Sequence, residues 1–150
     1  MNHGTRSLLW DFNRELVVGE FGALGVANLT ALVAARYTQS AAVISAAAIP
    51  GTLLGGSLFW LTARVYDQVT GQRFAAKRLA SDIAWFTPAA IVLGLAVYDP
   101  AIFLISRRLL QQGGRVGVSV AIGQTLAFLL FLGAMNAYRS LLRKAAGKCL

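Results

Sequence analysis

The side chains of this sequence best placed to do chemistry are two acids and two arginines at the ends of long apolar runs. Glu20 and Asp82 stand where such runs begin, and Arg64 and Arg139 stand where others end. Arginine suits phosphate, because its planar guanidinium donates two parallel hydrogen bonds to a pair of oxygens. Carboxylates beside it orient the guanidinium or accept hydrogen bonds from sugar hydroxyls. Asn136, three residues before Arg139, adds an amide to the group. Three readings are open. The pairs Glu20–Arg64 and Asp82–Arg139 could simply neutralise charge at a membrane boundary. The same residues could instead form a polar pocket that holds a lipid phosphate. The third reading is proton coupling through Glu20, the use to which carboxylates inside membranes are often put.

Other kinds of chemistry have no constellation to carry them. The chain has one histidine, His3, and one cysteine, Cys149, so a Cys/His metal cluster, haem ligation and an internal disulfide are not expected. Neither G-x-S-x-G, H-E-x-x-H nor a Walker loop occurs. Cys149 is second from the end, whereas a prenylation box needs it fourth, so no lipid attachment is expected there. The expectation is a protein that is not an enzyme and has no cofactor.

The elements that must position these residues are membrane helices. Of 150 residues, 57% are hydrophobic and 13% charged, and the mean hydropathy is +0.61. A soluble domain has about 45–50% and about 25%. So small a globule could not cover that apolar content with polar surface. Charged residues divide the chain into uncharged windows, of which 37–63 and 116–138 are long enough for the ~20 residues of a spanning helix. Val17–Ala35 is a third, with Glu20 close enough to its start to reach the headgroups. Ile83–Tyr98 is a fourth either if residues 79–82 form its first turn or if it continues through Asp99-Pro100, and the first is preferred because Asp-Pro reads as a helix boundary.

The predicted fold is all-α. One membrane domain, residues 1–150, carries four transmembrane helices near 17–36, 41–63, 79–98 and 116–139. Ten of the 14 basic residues fall on the side of the termini, leaving only Arg36, Arg107, Arg108 and Arg115 opposite. The positive-inside rule then places both termini in the cytoplasm of a multi-pass protein in the cell membrane. It also accounts for the net charge of +8 without nucleic acid. No removable signal peptide is expected, because charges interrupt residues 1–15.

The two halves of the chain read as a repeated two-helix hairpin. Each opens on an acid, Glu20 or Asp82, and closes on an aromatic and arginine cluster. The extra length of the second half falls on residues 100–112, read as a short helix on the outer interface ended by Gly113-Gly114. Residues 1–16 read as an interfacial segment anchored by Trp10. Asn28, Gln124 and Asn136 suit hydrogen bonds between helices, Pro50 and Pro88 suit kinks, and Gly51-Thr-Leu-Leu-Gly55 suits close helix approach.

With the cluster Phe59-Trp60-Leu-Thr-Ala-Arg64-Val-Tyr66 closing the second span and Asn136-Ala-Tyr138-Arg139 closing the fourth, residues 17–140 resemble the GtrA-like family of small four-helix membrane proteins. The resemblance implies binding or movement of a polyprenyl-phosphate-linked sugar for cell-surface polysaccharide or glycolipid synthesis, beside a membrane glycosyltransferase. Arg64 and Arg139 would then engage phosphate, while Glu20, Asp82 and Asn136 shape the pocket. The competing expectation is a non-catalytic accessory subunit of a larger membrane complex, or a homo-oligomer, with the glycine motif and tryptophans as contact surfaces. Either kind of protein has membrane lipid as a partner.

Overall fold

The computed structural model describes residues 3–70 and 76–146, all of them helical apart from two short turns. The helices are α1 (His3–Ala35), α2 (Ala41–Thr70), α3 (Ala76–Leu93), a π-helical turn (Gly94–Tyr98), α4 (Asp99–Gln111) and α5 (Val116–Ala146). Four stretches are long and apolar enough to cross a membrane: Phe12–Ala35, Ala41–Asp67, Ile83–Gln111 and Val116–Leu142. The chain is therefore an all-helical, multi-pass membrane protein.

The turns follow from local chemistry. Ser40 caps α2, its hydroxyl accepting from the Val43 amide at 3.5 Å and its carbonyl from Ile44 at 3.0 Å. At the end of α4, Gly113 takes φ +84°, a left-handed conformation open to glycine without steric cost. Its amide bonds back to Leu110 and that of Gly114 to Leu109, both at 3.0 Å, closing a Schellman cap.

Two expectations about boundaries are corrected. Asp99-Pro100 does not end the third helix, and residues 100–111 follow it without a break. The chain continues through the π turn into α4, giving one stretch from Ala76 to Gln111. Proline inside a helix lacks an N–H, and its ring collides with the carbonyl four residues back. A wider turn just before Pro100, in which the Asp99 amide bonds to the Gly94 carbonyl, accommodates that collision without a break. Similarly, residues 3–16 belong to α1 itself, and Trp10 stands 71% exposed on its surface.

α1 and α2 pack most intimately, as an antiparallel pair joined by the turn at 36–40. Small residues permit this approach. A side chain at Gly55 would run into the Gly22 carbonyl, one at Gly22 would meet the Gly55 carbonyl oxygen at 2.5 Å, and one at Gly51 would lie 2.7 Å from the Ala27 Cα. The glycine motif is thus spent within the chain. α4 packs along α5 and also against α2, around Ala27, Ala31, Ile44, Ala48, Ile102 and Val120. α3 differs from the rest. Its backbone comes close to α5 and the π turn but stands away from α1 and α2, which leaves a gap between them. Leu29, Leu58, Leu104 and Leu129 are each about 60% exposed and face outward, as a lipid-solvated surface requires.

Candidate functional site: a cavity at membrane depth

The gap left by α3 is a cavity of about 370 Å³, within the range of small-molecule sites. Its lining is mainly apolar and comes from α1, α2, α3, the π turn, the first residue of α4 and α5. Trp60 and Phe86 stack at one end with ring centroids 4.2 Å apart and planes 9° from parallel. Phe128 and Phe131 form part of the opposite wall. The polar members are Glu20, Tyr98 and Asp99, with Thr52, Ser57 and Thr87, and among the described residues no Lys, Arg or His lines the cavity.

These polar groups lie deep. Glu20 stands about 12 Å into its span from Phe12, at a rise of about 1.5 Å per residue. Asp99 lies about 24 Å from Ile83 and about 18 Å from Gln111 on the same measure. Glu20 therefore does not reach the headgroups from the start of a helix, because that helix begins earlier than its charges suggest. Its Oε2 accepts a 2.6 Å hydrogen bond from the Tyr98 hydroxyl. Gln124, fully buried on α5, adjoins this pair.

Several polar atoms around the cavity are left over. Among the described residues, both carboxylate oxygens of Asp99 and the Trp60 indole N–H are buried without a hydrogen-bond partner, and Glu20 Oε1 makes no close hydrogen bond although the Gln124 amide adjoins its carboxylate. Asp99 is only 6% exposed. Folded proteins satisfy nearly all such groups, so orphaned groups lining one cavity ask for something that satisfies them. The lining combines carboxylate acceptors, an indole donor and stacked aromatic faces, the set that takes a polyhydroxylated ring: hydroxyls donate to the carboxylates and the C–H face lies on the aromatics.

The expected arginine cluster forms elsewhere, at the end of the bundle where α1 enters. Arg64 pairs with Glu15 rather than Glu20, its Nη1 donating to both carboxylate oxygens at 2.8 and 3.0 Å. Glu15 is 2% exposed. Arg139, 7% exposed, places its guanidinium 4.8 Å from the centre of the Phe12 ring. Asn136 donates to Asn13 at 3.1 Å and to the Leu132 carbonyl at 2.8 Å. Arg14 binds Asp67 nearby. So Arg64, Arg139 and Asn136 do gather at one end, organised by Phe12, Asn13 and Glu15 of α1. Glu20 is separate, in the cavity. The Asp82 side chain, and with it the expected Asp82–Arg139 pair, lies outside the described residues.

Phe12 meets Phe86 edge-on at 6.3 Å, and Phe86 stacks on Trp60. This aromatic layer separates the arginine end from the cavity. Of the amides expected to link helices, Asn136 does so by its bond to Asn13 and Gln124 adjoins Glu20 and Tyr98 from α5, whereas Asn28 donates at 2.9 Å to the Leu24 carbonyl of its own helix. Replacing Asn136 with alanine is expected to cost about 0.6 kcal/mol, the mean for such a bond in a membrane. A double-mutant cycle with Asn13→Ala, read by unfolding in mixed micelles, checks it.

Reasoning from the sequence missed Glu15, Tyr98, Asp99 and Trp60 as members of these sites. For Asp99 a signal existed. The apolar run resumes directly after Asp99-Pro100 with Ala-Ile-Phe-Leu-Ile, so the acid sits inside a continuous hydrophobic stretch. Comparison with protein-family models, with curated proteins and with solved structures gives no match.

Proposed function

We propose that this protein is a non-catalytic membrane carrier or binding protein that holds the polyhydroxylated headgroup of a lipid inside the bilayer. A polyprenyl-phosphate-linked sugar, used for cell-surface polysaccharide or glycolipid synthesis beside a membrane glycosyltransferase, has the required parts. Its sugar hydroxyls would donate to Glu20 and Asp99, its ring would lie on Trp60 and Phe86, and its isoprenoid chain would follow the apolar cavity walls. Both termini then face the cytoplasm, where the basic residues concentrate, and the two helical hairpins act as repeated halves around the cavity.

The observation that carries this reading is the group of unsatisfied buried atoms on the cavity wall: Glu20 Oε1, the Asp99 carboxylate and the Trp60 N–H. The reading as an accessory subunit loses its main support, because the glycines that would have docked a neighbour are occupied by the contact of α1 with α2.

The test is mild-detergent purification followed by mass spectrometry of the lipids retained. Ala90 lines the cavity, and Ala90→Trp fills it from α3 without touching a polar group. A glycolipid retained by the native protein should fall at least tenfold in Ala90→Trp and in Glu20→Gln. Equal retention in all three proteins would refute the reading.

A further inference from the structure

We propose that Glu20 and Asp99 form a proton-binding site on the cavity wall, and that a proton and the ligand's hydroxyls compete for the same carboxylate oxygens. The inference deepens the reading of the cavity as a headgroup site, but the proton site itself stands on geometry alone. Glu20 and Asp99 both line the cavity at membrane depth. Among the described residues, every other group that lines the cavity with Glu20 is uncharged or acidic. Tyr98 and Gln124 adjoin Glu20, and Thr52, Ser57 and Trp60 of α2 and Asp99 of the third span line the same cavity. The nearest guanidinium on the neighbouring helix, that of Arg64, is held by Glu15.

An ionised carboxylate buried without a counter-charge is too costly to persist, and such a group neutralises instead. Glu20 Oε2 receives a hydrogen bond from Tyr98 and the Gln124 amide stands beside the same carboxylate, while both Asp99 oxygens receive none. Protonation of each acid removes its charge and creates an O–H. The Gln124 amide, fully buried and beside Glu20 and Tyr98, supplies an acceptor for one of them. Ligand hydroxyls arriving in the cavity donate to the same oxygens and favour the ionised form, so binding expels protons to solvent. Affinity then rises with pH, by up to about tenfold per pH unit for each proton released.

The experiment is difference infrared spectroscopy of the full chain in lipid nanodiscs, with octyl glucoside below its micelle concentration as the probe. At neutral pH the native protein should show protonated-carboxyl C=O bands, one lost in Glu20→Gln and another in Asp99→Asn. Tyr98→Phe should shift the Glu20 band without deleting it. Octyl glucoside should diminish the bands of the unsubstituted protein, a readout that needs no variant to fold. If the carboxyls are already ionised at neutral pH, or if glucoside binds with the bands unchanged and with no pH dependence, the proposal is overturned. Failure of glucoside to bind counts against the headgroup reading instead, and the proton site is then decided by the bands and their loss in the two variants.

Discussion

Replacing Gly55 with leucine is expected to prevent α1 and α2 from pairing, and with them the whole bundle. The first atom of any side chain at position 55 would overlap the Gly22 carbonyl oxygen and lie 2.6 Å from its carbon. These are backbone atoms of the facing helix, so no rotamer change relieves the clash. Overpacking usually costs about 1–3 kcal/mol and more where the surroundings cannot yield. Here the helices must separate along their length, and the cost should exceed that range. Gly25→Leu is the control, because nothing lies within 4 Å of a side chain built there. Size-exclusion profiles and thermal unfolding in detergent should show Gly55→Leu dispersed or aggregated and Gly25→Leu close to native. Equal behaviour of the two would mean that α1 and α2 do not meet at this register.

Arg64→Ala is expected to destabilise the fold by about 3–5 kcal/mol, the cost of leaving a buried charge without its partner. The stranded group is Glu15, 2% exposed and bonded twice to Arg64. A guanidinium waiting for phosphate would behave differently, with Arg64→Ala inserting normally and failing only in ligand binding. The double variant Glu15→Gln/Arg64→Gln keeps the size and hydrogen-bonding capacity of the pair without its charge. It should regain most of the loss, because replacing both buried ions together is often neutral. Thermal unfolding of the single and double variants in the same micelle checks this. If Arg64→Ala is as stable as the native chain, Arg64 is free for an external anion and the ion pair is incidental.

The parts of the fold that announce themselves in the sequence are those set by hydrophobicity. Spans two and four, between Arg36 and Arg64 and between Arg115 and Arg139, are bounded by charges that helices carry readily at their ends. Where an acid lies within a span, its treatment as a boundary misleads. Glu15 looks like the polar lead-in to a helix until Arg64, 49 positions away, neutralises it and lets the span begin at Phe12. Asp99 looks like a helix end because proline follows it, and only the π turn keeps the third helix running.

The candidate site shows the same division. That arginines and an amide would gather at one end of the bundle follows from hairpin geometry, and Arg64, Arg139 and Asn136 do so. Which acid each would meet depends on helix rotation, which the spacing of charges does not specify. The cavity was not legible at all. It exists because α3 stands off from α1 and α2, and Trp60 and Phe86 come together across a gap that no local pattern encodes.

The central claim, that a lipid headgroup occupies the cavity bounded by Glu20, Tyr98 and Asp99, is tested most directly by photo-crosslinking. The probe is a glycolipid with a diazirine beside its sugar, incorporated into proteoliposomes, with the label mapped by peptide mass spectrometry. The label should concentrate on cavity positions such as Thr52, Trp60, Thr87 and Ile91, and Ala90→Trp should abolish it. Labelling confined to outward residues such as Phe21, Leu58 and Leu104, and unchanged in Ala90→Trp, would contradict the account.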